Sequence, residues 1–515
     1  MNDRSDVAET IGLEAPCGRL VGLRRNGISE FRGIPFARPP LGALRWRMPE
    51  PADPWAAARD ATRFGPACPQ APTPFDTLLG GALRVQSEDC LSLNVCTPGP
   101  DGPQRPVMVW IHGGAFVIGA GSQSIYDGRH LAAHDVVVVS VNYRLGVFGF
   151  LDLADASGGI APGGGAEGLA DQLLALEWVR RNIGAFGGDA SNVTVFGESA
   201  GAMAIAALLA SPRAQGLFHR AILQSGAAHV GHDRERAVRV ARAVLDALAL
   251  SPQDAGRAVE IPAGALVKAQ VAVLAAAHDS KDARKLGRLP FQPTIDGQVL
   301  ALRPIDAIRQ GSARGIALLT GTTRNEWKLF SAADPRLRLM SLASFETRLA
   351  RIAGEATPAL LKAYAEGSAF ERWNALMTDR IFAVPAARLL QAQGDVAPTF
   401  AYRFDWRSRL LGGIFGSCHA LELGFVFGTH GQGAPAAFFG RGPSAQALAA
   451  AMMQCWTAFA RAGDPSTAIT GPWPRYDDTL RATMIFGDGA PRVASALERH
   501  RIDAWTAVPD RKIGA

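Results

Sequence analysis

The feature that most limits what this chain can fold into is an alternation of strand-forming and helix-forming segments between residues 92 and 210. The runs 107–112 (VMVWIH) and 136–141 (VVVVSV) are continuous and apolar, as strands buried on both faces are. The segment 169–183 has helical spacing, with Leu173, Leu176, Trp178 and Val179 as its apolar positions. The run 192–197 (NVTVFG) reads as another strand, and 200–210 as a helix stopped by Ser211 and Pro212. Such alternation implies an α/β protein, with a large, mostly parallel central sheet and helices on both faces. Ahead of it, residues 1–50 carry short apolar segments and the turn-rich stretch 31–42 (FRGIPFARPPLG), which suit antiparallel edge strands followed by a proline-locked surface loop. Residues 228–290 and 331–395 are rich in Ala, Leu and Arg with helical periodicity, and 447–462 reads as a final helix. No Gly/Ser/Pro linker isolates the two long helical stretches, so they are expected as insertions laid over the sheet.

Composition agrees with a large buried core. The 515 residues are 48% hydrophobic and 19% charged, against about 25% charged in an average soluble domain. The formal charge of +6 comes from 53 basic and 47 acidic residues, and the basic ones are mostly scattered Arg with no longer run than pairs. A nucleic-acid surface would gather its charge on one face, so none is expected. The first residues lack a basic segment followed by an apolar stretch of about 7–15 residues. The most apolar segment, 136–151, contains Asn142 and Arg144 and falls short of the ~20 residues a spanning helix needs. The chain is therefore expected to be soluble and cytoplasmic, with no membrane partner. Its six cysteines include no C-x-x-C pair, so no cysteine-bound zinc is expected, and no other metal and no cofactor is expected either.

Chemistry enters with Gly197-Glu198-Ser199-Ala200-Gly201, which fits G-x-S-x-G at the junction of a strand-like and a helix-forming run. That setting suits a sharp turn that thrusts the Ser199 hydroxyl beyond the sheet edge, with flanking glycines removing Cβ atoms that would clash. The new helix brings the Ala200 N–H and the positive end of its dipole beside the nucleophile. Earlier, His112-Gly113-Gly114-Ala115-Phe116 follows the strand ending at Ile111. Successive small residues there let backbone N–H groups converge on a carbonyl oxygen as it turns into an oxyanion, each donor being worth roughly 3 kcal/mol of barrier. A triad on such an elbow takes its acid and then its histidine further along the chain. Four histidines follow residue 260: His278, His419, His430 and His500. His419, in a small-residue loop (GSCHALELG), suits a base, while His278 and His500 lie in charged stretches. Glu326 follows a strand-like run (IALLTG), at the strand end where α/β sheets build their sites. Asp296 and Asp306 remain rivals by spacing.

The stretches 31–42, 87–95 (SEDCLSLNV), 141–146 (VNYRLG), 186–201 (FGGDASNVTVFGESAG) and 473–476 (WPRY) resemble the signature blocks of the type-B carboxylesterases, a family of α/β-hydrolase fold that takes in para-nitrobenzyl esterases and cholinesterases. The resemblance runs from about residue 15 to 480. It implies Ser199 as nucleophile, Glu326 as acid and His419 as base, and an oxyanion hole from the N–H groups of Gly114, Ala115 and Ala200. It implies an ester hydrolase working through an acyl-enzyme, on neutral and fairly apolar small-molecule esters with water. Amide or carbamate hydrolysis is the alternative with the same triad, and a non-catalytic binding member of the family a more distant one. Glu198 is expected in a supporting role beside the nucleophile, and Phe116, Trp327, Phe330, Phe425 and Phe427 are candidates for an apolar pocket. Three positions depart from the family pattern: Ala115 for a third glycine, Trp327 for the glycine after the acid, and Ala166 for an asparagine. Cys68 and Cys90 match cysteines that are bridged in secreted relatives, so a disulfide or two thiols are both open. Since the triad residues must meet, the whole of 1–515 is expected to be one catalytic domain, of open oligomeric state.

Overall fold

In a computed structural model the described residues are 8–73, 85–278, 283–332 and 334–514. Residues 279–282 and 333, inside the two expected helical insertions, lie outside them, as do residues 1–7 and 74–84. The chain divides into two compact units, residues 1–220 with 231–303 and residues 221–230 with 304–515.

The first unit holds strands β1 (Glu9–Ala15), β2 (Gly18–Arg25), β3 (Ile28–Pro35), β4 (Trp55–Asp60), β5 (Ser92–Thr97), β6 (Arg105–Ile111), β7 (Val137–Val141) and β8 (Gly188–Glu198). They are ordered β1-β2-β3-β5-β7-β6-β8, with β4 against β2. At the centre β6 runs parallel to both neighbours, Val109 facing Val139 on one side and Val195 on the other. Its residues from Pro106 to Ile111 are all buried, which is why this strand shows no polar alternation. The first strands are antiparallel, as expected. The proline-rich stretch differs from expectation: Phe31 and Ile34 sit inside β3, and Phe36 and Ala37 are buried as well, so the surface begins only at Arg38.

Helix α1 (Glu167–Asn182) is buried on nearly every face. Its Asp171 holds the equally buried Arg144 in a two-pronged ion pair at 2.7 and 2.8 Å, and breaking such a pair strands a charge in the core. Helix α2 (Ala200–Ala210) is buried along its whole length, as its uniformly apolar sequence requires. Helices α3 (Arg234–Ala247) and α4 (Ala263–His278) are the long helices of the first helical stretch.

The second unit carries β9 (Arg220–Gln224, all but its first residue), β10 (Ala317–Thr323), β11 (Thr399–Phe404), β12 (Thr483–Phe486) and β13 (Arg492–Ala494), in that order. Strands β10, β11 and β12 are parallel and β13 is antiparallel. The stretch 331–395 is helical, with α5 (Leu342–Ala353), α6 (Ala369–Thr378), a π-helical turn (Asp379–Ala383) and α7 (Val384–Gly394). It has its own core around Phe345, Leu349, Leu360, Trp373 and Leu376, joined by Trp505 from near the C-terminus. The expected last helix is α8 (Pro443–Ala462). No helix among the described residues is long and apolar enough to cross a membrane.

Candidate active site

In the first unit Ser199 stands between β8 and α2 at φ 55°, ψ −123°, a conformation a non-glycine residue holds only when its surroundings force it, at about 1–3 kcal/mol. The forcing is visible at both flanking glycines. A Cβ at Gly197 would come 2.7 Å from the Ile111 carbonyl oxygen, and one at Gly201 only 2.0 Å from it. The elbow is thus pressed against the end of β6, and the Gly113 loop that follows β6 lies over it. A Cβ at Gly113 would meet the Glu198 carbonyl at 2.6 Å, the Glu198 carboxylate at 3.0 Å and Ser199 Cβ at 3.1 Å.

Gly114, Ala115 and Phe116 all have positive φ (114°, 53° and 62°), so successive peptide groups turn the same way, the geometry of an anion-binding concavity. The Gly114 carbonyl is taken up by the N–H groups of Val117 and Ile118, both at 3.0 Å, and the Phe116 carbonyl by that of Gly146 at 2.7 Å. As the first residue of α2, Ala200 has an N–H that the helical ladder does not use. The loop is braced from behind. His112 is stacked on Tyr143, whose hydroxyl donates to the His112 carbonyl at 2.8 Å. His112 Nδ1 donates to the Gly113 carbonyl at 2.8 Å, and burial pushes this imidazole down to about 4, so it is a neutral strut. The Gln70 side chain clamps Gly119 through both its N–H and its carbonyl.

The second unit presents the acid and the histidine together. Glu326, fully buried, accepts a hydrogen bond from His419 Nδ1 at 2.6 Å through one oxygen and from the Thr323 N–H at 2.7 Å through the other. Because a carboxylate only accepts, the proton sits on Nδ1 and the basic lone pair on Nε2. The two loops are tied by Asn325, whose N–H donates to the Ser417 carbonyl at 2.7 Å and whose side-chain carbonyl accepts from the Ser417 N–H at 3.2 Å, while the Ser417 hydroxyl donates to the Phe404 carbonyl at 2.6 Å. Phe330 and Phe382 flank the imidazole, their ring centres 5.2 and 4.9 Å away. The Trp327 N–H donates to Thr378 Oγ1 at 3.1 Å, anchoring the acid's loop to α6. Glu422, also fully buried, is held up to about 7, first by burial and then by the Glu326 charge. It accepts from Gln224, whose carbonyl accepts from Trp456 Nε1 at 3.0 Å.

The other sequence candidates have different settings. His278 and His500 are exposed, and Asp296 caps a turn through the N–H groups of residues 298, 299 and 300. Asp306 lies in the first turn of a short helix, Pro304–Arg309. Phe425 is fully buried among Phe404, Trp406 and His430, and Phe427 is equally buried, so Phe425 has the surroundings of a core residue. Trp327 packs into the core of the second helical stretch, where its bulk takes the space a glycine would leave. Phe116 packs edge-on to Phe150. Cys68 and Cys90 are buried free thiols. The sequence reading missed Gln70, Tyr143, Thr378, Phe382 and Glu422. Only Glu422, three residues beyond His419, carried a local signal.

Comparisons with known proteins show which family the chain resembles. A family model described as the carboxylesterase family matches residues 9–505. The para-nitrobenzyl esterase of Bacillus subtilis (strain 168) is 40% identical over 471 residues, covering 91% of this chain and 93% of its own. The phenmedipham hydrolase of Pseudarthrobacter oxydans is 34% identical over 495 residues, 94% of this chain and 96% of its own. A solved structure of a thermophilic PNB esterase superposes with a TM-score of 0.86 at 38% identity, covering 96% of this chain and 99% of that one.

Proposed function

The chain belongs to the carboxylesterase family and is a carboxylic ester hydrolase of α/β-hydrolase fold, and from that premise we propose that Ser199, His419 and Glu326 form its catalytic triad. His419 Nε2 takes the Ser199 proton as the hydroxyl attacks the ester carbonyl. The N–H groups of Gly114, Ala115 and Ala200 stabilise the tetrahedral oxyanion, and the imidazolium then protonates the leaving alcohol. Water repeats the sequence and releases the acid. Glu326 holds the imidazole tautomer and stabilises the charge it gains. Glu198 shapes the field beside the nucleophile. On this reading the catalytic domain is the whole chain, residues 1–515.

The observation that carries this reading is the buried 2.6 Å bond between His419 Nδ1 and Glu326, which leaves Nε2 as the basic nitrogen. The strained Ser199 under the Gly113 loop supports it from the other unit. The substrates are small neutral esters of apolar character, because the oxyanion loop and Phe330 supply no side-chain charge of their own. In the test, wild-type enzyme mixed with p-nitrophenyl acetate releases a burst of p-nitrophenol, and Ser199→Ala gives none and loses about 10⁴-fold or more in turnover. An undiminished burst from Ser199→Ala would overturn the assignment.

A further inference from the structure

The segment that leads into His419 has a surface the hydrolytic site does not use. After Trp406 the chain makes a compact loop, closed by the Ser408 N–H on the Gly416 carbonyl at 2.9 Å and by the Gly416 N–H on the Gly413 carbonyl at 3.0 Å. At its tip Leu411 adopts a left-handed conformation (φ 49°, ψ 45°), followed by Gly412 (φ 70°, ψ 18°) and Gly413 (φ 83°). A bulky apolar residue pays for that backbone; here the result is to hold the Leu411 side chain in solvent, 67% exposed, with Ile414 beside it at 37%. The next residue, Phe415, points the other way and packs edge-on against Phe438, fixing the base of the loop while the tip stays out.

The flanks of the tip are cationic. Arg407 and Arg409 are exposed, and among the described residues no acidic group pairs with either. The adjacent carboxylate, Asp405, is already engaged by both prongs of Arg403 at 2.6 and 2.7 Å. Lys328 lies against the loop base, its Cδ 3.4 Å from where a Cβ on Gly416 would be. Burial and then the Arg407 charge hold its ammonium below the usual range. Two exposed aliphatic side chains at the tip of a loop, with two exposed arginines in the residues just before them, form the arrangement that suits an anionic lipid surface. The aliphatics enter the acyl boundary and the cations meet the headgroup charge.

We propose that the 407–416 loop docks this enzyme on anionic lipid surfaces. That would deliver membrane-dissolved esters to the residue 419 end of the loop. Docking of this kind needs no spanning helix, and none is found among the described residues, because a docking loop lies on the surface. The substrate half of the proposal rests on the ester-hydrolase reading; the docking half does not, and the two are tested separately.

The experiment is sedimentation with large unilamellar vesicles of phosphatidylglycerol or of phosphatidylcholine, read as the protein fraction in the pellet. Wild type and Ser199→Ala pellet with phosphatidylglycerol at low salt and stay in the supernatant with phosphatidylcholine. Leu411→Asp/Ile414→Asp and Arg407→Glu/Arg409→Glu each lower the phosphatidylglycerol partition coefficient at least tenfold, while their turnover of dissolved p-nitrophenyl acetate, which also reports correct folding, stays within twofold of wild type. With p-nitrophenyl palmitate embedded in phosphatidylglycerol vesicles, the same two variants lose rate in proportion to their lost binding. Binding that is absent, that is indifferent to lipid charge, or that survives both double substitutions overturns the proposal. So does a dimer, seen by light scattering of the wild type and dissociated by Leu411→Asp/Ile414→Asp, since the tip would then be an interface between copies. Loss of activity in every form with vesicle binding intact would instead fault the hydrolase reading alone.

Discussion

Residue by residue, the site depends on buried groups whose charge state is set by their neighbours. Glu326 is fully buried yet has both oxygens satisfied, one by His419 and one by the Thr323 N–H. Replacing it by Gln keeps the shape and removes the charge that fixes the tautomer and stabilises imidazolium, so Glu326→Gln should lower kcat by about 10³–10⁴-fold with little change in KM. Steady-state kinetics on p-nitrophenyl acetate would check this, and a loss below tenfold would contradict it. Glu422 makes a prediction of stability. Its folded-state value of about 7 lies above its ordinary 4.5, with burial the main cause. Between those values the folded state keeps a proton that the unfolded chain has lost, so stability falls as pH rises through that window and levels off above it. Glu422→Gln removes that loss. The Tm of the variant relative to wild type should therefore rise from pH 5 to pH 8, and a difference that does not change with pH would show that Glu422 is not held neutral.

At the scale of elements, the elbow and the acid's loop work because specific segments cannot move apart. The Ile111 carbonyl lies 2.0 Å from where a Cβ on Gly201 would be, and a backbone atom cannot swing away as a side chain can. Gly201→Ala should then cost about 1–3 kcal/mol or more of stability, measured as a lower urea midpoint, together with lost activity. On the other side, Thr378→Val removes the hydroxyl that accepts from the Trp327 N–H at 3.1 Å, a loss of about 0.5–1.5 kcal/mol. Because the bond anchors the acid's loop, kcat should fall while KM holds; a stability loss with unchanged kcat would make Thr378 a packing residue only. These elements also show what the sequence could tell. The strand–turn–helix around Ser199 was readable because glycine spacing and an abrupt change of hydrophobic period are local signals. So was α2, whose bounds coincide with the apolar run 200–210. Thr378, Phe382 and Gln70 were not readable, since each meets its partner across 37 to 51 positions of chain and a lone Thr or Gln has no local mark. The stretch 31–42 was half readable: its prolines announce a turn, but not that Phe36 is buried beyond the strand end.

For the whole molecule, the parallel alternation gave the fold class, and the order nucleophile, acid, histidine narrowed the site. Choosing Glu326 over Asp296 needed the family resemblance, because spacing alone treats them alike. The structure adds a physical reason, as Asp296 spends its carboxylate on three N–H groups of its own turn. We propose that Ser199 and His419 act as one catalytic device. Groups that act as a unit are strongly non-additive when removed. The direct measurement is therefore kcat/KM for p-nitrophenyl acetate in wild type, Ser199→Ala, His419→Ala and the double variant. Ser199→Ala/His419→Ala should be no slower than the worse single variant, within about threefold. Losses that multiply in the double variant would mean that the two residues act independently, and would contradict the account.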